Sequence, residues 1–188
     1  MSIEDKVRWN KKYEHQLLVP SHVLDVVKEF SAKVTGTKAV DIACGMGRHS
    51  RFLAQNGFEV DALDISDVAI ESLKNVANIT PIMVDFDEYK LKENAYDLVV
   101  CTYFLERKLF PQIQKALKKE GIFIFETFMH HEKNTKVPSN KSFLLNKGEL
   151  EESFSEGFEI LHHKEFMDES ICGDISMKCS IVIKKTVS

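Results

Sequence analysis

Five short apolar runs, at residues 40–43, 60–63, 82–84, 98–104 and 122–125, constrain this chain more than any other feature. Each has strand length, and most are separated by segments with helical spacing. After Ser66, a helix-capping residue type, Ile70, Leu73 and Val76/Ala77 recur at that spacing. Phe110, Ile113 and Ala116/Leu117 do the same before Gly121, with Pro111 tolerable in a first helical turn. Such alternation predicts an α/β domain built on a parallel sheet. Residues 98–101 and 122–125 are apolar on both faces of a pleat, as strands covered by helices on both sides must be. The tail differs: 159–167 and 179–185 read as strands joined by a polar connection too short for a crossover helix, hence an antiparallel hairpin. Ahead of the first strand, helical pieces are expected around 9–18 and 21–30, divided by Pro20. Residues 130–147 read as a long loop.

At 188 residues the chain has the size of one domain, with a core at 38–188 and a helical segment at 1–37 that could serve as a lid. Its 44% hydrophobic and 29% charged composition excludes a disordered, collagen-like or disulfide-scaffold chain. A formal charge of −4 supplies no field for bulk nucleic acid. The sequence shows neither a signal-peptide core nor a bilayer-length apolar stretch, so a soluble cytoplasmic protein without membrane partners is expected, as monomer or homodimer. Cys44, Cys101, Cys172 and Cys179 form no CxxC pair. With His130/His131 and His162/His163 they match no standard zinc spacing, so no metal is expected.

The chemistry concentrates at residues 40–48, VDIACGMGR, where a strand meets Gly45-x-Gly47 and then a helix. Small residues let a ligand approach the backbone there, and the helix start offers free amides. Asp64 follows Gly45 by 19 residues, the spacing of a carboxylate that holds ribose hydroxyls, which also suits NAD. Against a dinucleotide stand Ser50, where a third glycine would fall, and Asp41, an acid beside the place a pyrophosphate would occupy. Asp85 adds a third acid after the third strand. Three carboxylates on one sheet edge favour a cationic ligand, and S-adenosyl-L-methionine qualifies through its sulfonium and ammonium.

The chain resembles the class I S-adenosylmethionine-dependent methyltransferases, and more narrowly the small tellurite-resistance-like group. The resemblance rests on WNKKY at 9–13, VDIACGMGRHSRFLAQNGFEVDALDIS at 40–66, MVDFD at 83–87, YDLVVCTYFLER at 96–107, FETF at 125–128 and FLLNKGEL at 143–150. It implies a doubly wound, mostly parallel seven-stranded sheet of order 3-2-1-4-5-7-6 with the last strand antiparallel. It further implies cofactor contacts from Asp41, Ala43, Gly45 and Gly47 to the methionine part, Asp64 with Ile65 to the ribose, and Asp85 with Phe86 to the adenine. Cys101 to Phe104 would lie near the sulfonium. Two departures from the family pattern are Ala43 at the first glycine position, harmless if its φ is negative, and Lys119-Glu120-Gly121 in place of proline-glycine-glycine, expected at a helix end.

Trp9 and Tyr13 share one helical face and are candidates either for a core anchor or, by the resemblance, for a lid over the cofactor. Arg107 would pair with an anionic substrate or with a surface acid. His130, His131 and Tyr103 are the candidate catalytic groups. The activity implied is methyl transfer to a small acceptor. With no carboxylate–histidine pair evident, a soft thiol or chalcogen nucleophile is expected. The alternatives are a cofactor-binding regulatory module without turnover and a nicotinamide-dependent reductase.

Overall fold

The computed structural model describes residues 3–15 and 22–187. Each of the five apolar runs lies within or at the end of a strand: β1 (Lys38–Ile42), β2 (Glu59–Asp64), β3 (Ile79–Met83), β4 (Tyr96–Thr102) and β5 (Leu117–Phe128). With the hairpin strands β6 (Phe158–Glu169) and β7 (Ile175–Lys185) they form one seven-stranded sheet of order β3-β2-β1-β4-β5-β7-β6. The first five strands are parallel, and β7 runs antiparallel to both β5 and β6.

Alternation along the strands divides the core in two. Val40, Ile42, Val99, Phe123, Phe125, Ile181 and Ile183 face one way, onto α5 (Phe110–Ala116) and α6 (Glu149–Ser153). Ala39, Leu98, Val100, Ile122, Ile124 and Val182 face the other way, onto α2 (Asp25–Ser31) and α3 (Arg48–Gln55). Side chains such as Phe123 and Leu53 are fully buried, each contributing about 1.5–3 kcal/mol of transfer free energy.

Several boundaries differ from the sequence expectation. α1 occupies Ile3–Glu14 rather than starting near Trp9, and the expected Pro20 break lies outside the described residues. Ser66 does cap α4, its Oγ accepting the Ala69 amide at 3.1 Å, but α4 covers only Asp67–Glu71. Asn75 and Asn78, at φ 63° and 62°, turn the chain left-handed where the apolar spacing suggested more helix. The hairpin strands are longer than read, because polar residues continue the β6–β7 pairing as far as Glu169↔Ile175. Lys119-Glu120-Gly121 lies inside β5, not at a helix end: residues 118–121 bulge opposite the single Asp97, with Glu120 at φ 66°. Lys118 closes the bulge with an ion pair to Asp97 at 3.0 Å. Among the described residues no helix is long and apolar enough to cross a membrane.

Candidate active site

The site forms where β1 and β4, neighbours in the sheet, release the chain to opposite faces, the crevice at which open α/β sheets bind ligands. After β1 the chain turns through Gly45 and Gly47, both left-handed at φ 54° and 78°, and Gly47 caps α3. Asp64 at the end of β2 latches this turn, one carboxylate oxygen accepting the Gly45 amide at 2.8 Å and the other the Ser66 amide at 2.9 Å. Burial raises the Asp64 pKa above its usual value, against the pull of those amides. Ala43 is not harmless: its φ is 54°, so a Cβ sits in the left-handed region that the family's glycine would occupy without cost.

Asp41 is 2% exposed and accepts the Ser50 hydroxyl at 2.6 Å. Burial pushes its carboxyl up to about 7, with the Ser50 hydrogen bond pulling partway back. Asp41 and Asp64 both reach a cavity of about 210 Å³, together with Ala43, Gly45, Ile65, Arg48, His49, Thr102, Tyr103 and Phe104.

α1 covers the cavity with Trp9, Lys12 and Tyr13. The two aromatic rings stack at 5.6 Å, and the Lys12 ammonium lies 4.3 Å from the Trp9 ring centre. A Cβ on Gly45 would come within 2.8 Å of the Tyr13 hydroxyl, so the glycine is what lets α1 approach the turn. Burial and then the charge of Asp64 raise the Tyr13 pKa, keeping the phenol neutral. Polar contacts tie α1 to the start of α4: Lys6 pairs with Asp67 at 3.0 Å, Asn10 donates to Asp67, and the Ser66 hydroxyl donates to Asn10 at 2.6 Å.

Seven other candidates stand off this wall. Gly47 lies beneath the turn, where a Cβ would strike Leu73 at 2.3 Å. Cys101 faces the opposite side of the sheet from Thr102, its thiol bonded to the Phe104 carbonyl at 3.4 Å. Phe86 packs behind Phe104 at 5.3 Å, and Asp85 turns the chain by accepting the Asp87 amide at 3.0 Å. Arg107 does not face the cavity. It forks onto Glu149 at 2.5 and 2.9 Å and onto the Ser142 and Leu144 carbonyls, clamping the long loop. His130 and His131 line a separate hollow of about 510 Å³ within that loop. β5 ends at Phe128, and the Met129↔Leu145 bridge leads the chain away.

His49 escaped sequence reasoning. It is 3% exposed on the first turn of α3, its Nδ1 is 3.4 Å from the Thr102 hydroxyl, and its Nε2 has no hydrogen-bond partner among the described residues. Burial and the neighbouring Arg48 charge push its pKa down to about 3, so the ring is neutral. Only a periodicity reading placing residue 49 on the inner face of α3 would have flagged it.

The family described as "Tellurite resistance protein TehB" matches residues 1–177. The chain belongs to the TehB family. A TehB-family relative from Haemophilus influenzae, named a probable S-adenosyl-L-methionine-dependent methyltransferase, is 29% identical over 173 residues, covering 86% of this chain and 58% of that protein. This TehB-family chain thus spans little more than half the length of that curated relative. A ubiquinone biosynthesis O-methyltransferase of Rickettsia bellii is 24% identical over 134 residues, 63% of this chain and 56% of that one. The crystal structure of TehB from Haemophilus influenzae superposes with a TM-score of 0.77 at 22% identity, over 96% of this chain and 67% of that one. An S-adenosylmethionine-dependent methyltransferase from Mesorhizobium loti superposes at 0.67 with 19% identity, over 85% and 95%. Those solved structures share the fold of the TehB-family chain.

Proposed function

We propose that this chain transfers the methyl group of S-adenosyl-L-methionine to a small acceptor. The observation that carries the reading is Asp41 and Asp64 on either side of a glycine turn at one cavity, in a chain of the TehB family. The donor set suits the group. Two carboxylates complement its sulfonium and ammonium, and the neutral ring of His49 lines the same cavity.

S-adenosylmethionine supplies an already activated methyl group, so the protein's work is alignment and exclusion of water. Asp64, which keeps the turn in register, would hold the ribose. Asp41, near neutrality in its own titration, ionises more readily as positive charge approaches. Within the 1–37 segment α1 acts as the lid, with Trp9 and Tyr13 closing the cavity, while α2 belongs to the core through Val27 and Phe30. Thr102, Tyr103 and Phe104 form a wall of the cavity and would flank the methyl group. The acceptor is a soft nucleophile, a thiol or a reduced selenium or tellurium anion, and the protein works in the cytoplasm.

Calorimetry with S-adenosylmethionine, followed by transfer assays on thiols, selenide and alcohols, tests this. Binding with faster transfer to sulfur and selenium than to alcohols is expected. Absence of binding would overturn the activity, and preference for an alcohol would overturn the acceptor class.

A further inference from the structure

Tyr103 is held from several sides in the cavity wall. It is a bulky residue at φ 57°, a conformation that costs energy and persists where surrounding structure imposes it. Its hydroxyl donates to the Glu126 carboxylate at 3.0 Å and accepts from the Lys178 ammonium at 3.3 Å. Arg48 lies 5.7 Å and Lys178 5.0 Å from its ring centre, and the Phe128 ring packs at 5.4 Å.

Glu126 itself is 6% exposed, on the same face of the sheet as Asp41 and Thr102. Thr102, Glu126 and Ser180 form one in-register row across β4, β5 and β7. Ser180 Oγ and His49 Nε2 are the two buried side-chain polar atoms without a partner among the described residues, one in this row and the other on a ring beside Thr102. A buried carboxylate coupled to the cavity through a single phenol, amid unmet hydrogen-bonding atoms, is an arrangement for moving a proton.

We propose, resting on the methyl-transfer reading, that Tyr103 takes the proton of a thiol acceptor as it attacks and passes its own hydroxyl proton to Glu126. The acceptor S–H bond breaks, and its electron pair forms the new S–CH3 bond. The cofactor's sulfonium–CH3 bond breaks, and that pair stays on the departing neutral thioether. The phenol ends as it began, and Glu126 ends protonated until solvent removes the proton.

Burial and then the Glu126 charge raise the Tyr103 pKa, so the phenol works as a relay and not as a standing phenolate. The charged and titratable groups around the pair include Lys178 and Cys179 from β7, Arg48 and His49 from α3, Asp41 from β1, Lys12 from α1, and Asp168 of β6 through its 2.5 Å bond to Lys178. Burial lowers the Lys178 pKa but the Asp168 and Tyr103 contacts outweigh it, so the ammonium stays charged and holds the phenol oxygen in place.

The test compares the wild type with Glu126→Gln and Tyr103→Phe on two probes: 2-mercaptoethanol, protonated at neutral pH, and 4-nitrothiophenol, ionised there. Glu126→Gln still accepts the Tyr103 hydroxyl but takes no proton. Each variant is expected to lose about 10²–10⁴-fold in kcat/KM toward 2-mercaptoethanol. Little loss is expected toward 4-nitrothiophenol, and raising the pH toward the alkyl thiol's own pKa restores the rate. Calorimetric affinity for S-adenosylhomocysteine should stay near wild type in both variants, and the Tm should stay near wild type in Glu126→Gln but fall in Tyr103→Phe, which strips the buried Glu126 carboxylate of its hydrogen bond. Equal losses on both thiols in either variant, or no loss on 2-mercaptoethanol, would overturn the relay. A wild type that binds S-adenosylmethionine yet methylates neither thiol would overturn the relay together with its acceptor class, and one that binds no cofactor would overturn the reading beneath both.

Discussion

Replacing His49 with leucine separates two buried titrations that mask each other in the wild type. His49 holds a folded pKa of about 3 against an ordinary 6.5, so below pH 6.5 the unfolded chain binds a proton that the folded chain refuses. Stability from this site is therefore lost as the pH falls from 6.5 toward 3. At about 1.4 kcal/mol per pH unit, the loss is roughly 2 kcal/mol by pH 5 and near 5 kcal/mol in full. Asp41 has the opposite sign: its folded value of about 7 stands above the ordinary 3.8, so its contribution is complete below 3.8 and is lost as the pH rises to 7. Between pH 4 and 6.5 the two slopes cancel, and wild-type stability is expected to be flat there with respect to these groups. His49→Leu keeps only the Asp41 slope and removes an unpartnered buried nitrogen. Urea titrations of the cofactor-free protein from pH 5 to 7.5 read the result. The variant should gain about 2 kcal/mol over wild type on going from pH 6.5 to 5. Parallel curves for the two proteins would refute the reasoning.

Ala43→Gly should stabilise the cofactor-free protein by about 1 kcal/mol, because the left-handed backbone at residue 43 ceases to oppose a Cβ; chemical denaturation checks it. Asp64→Ala should keep the fold but lower the Tm and weaken S-adenosylmethionine binding by one to two decades, at about 1.5–3 kcal/mol per charge-assisted contact, as calorimetry would show. Arg107→Ala should release the loop, raising hydrogen exchange at 142–149 and costing about 1–2 kcal/mol for a half-exposed pair, while cofactor affinity stays unchanged.

Strands β1 to β4 and the second half of β5 were legible because they are short apolar runs with few competing readings, and burial on both faces leaves no polar residue to obscure 98–101 or 122–125. The glycine turn and Asp64 were legible because each depends on residue type and spacing along the chain. What stayed hidden depends on side-chain direction. Cys101 and Thr102 are neighbours, yet the pleat sends one to the apolar core and the other to the cavity. Arg107 and Glu149 meet across 42 positions of chain, a distance no local pattern spans. Glu126, Lys178 and Ser180 come together only through the β5–β7 register. Ala43 could not be judged until its φ was known.

β7 follows every other described element in the chain, yet it lies inside the sheet and carries Lys178 and Ser180 to the side of Tyr103 and Glu126. As the chain leaves the ribosome, β1 to β5 can pair and assemble the glycine turn with Asp64 well before β7 exists. The turn with Asp64 is thus assembled from earlier elements than the row that carries Lys178 and Ser180. Among the described elements, the row beside Tyr103 is therefore complete only once the β6–β7 hairpin has closed onto β5.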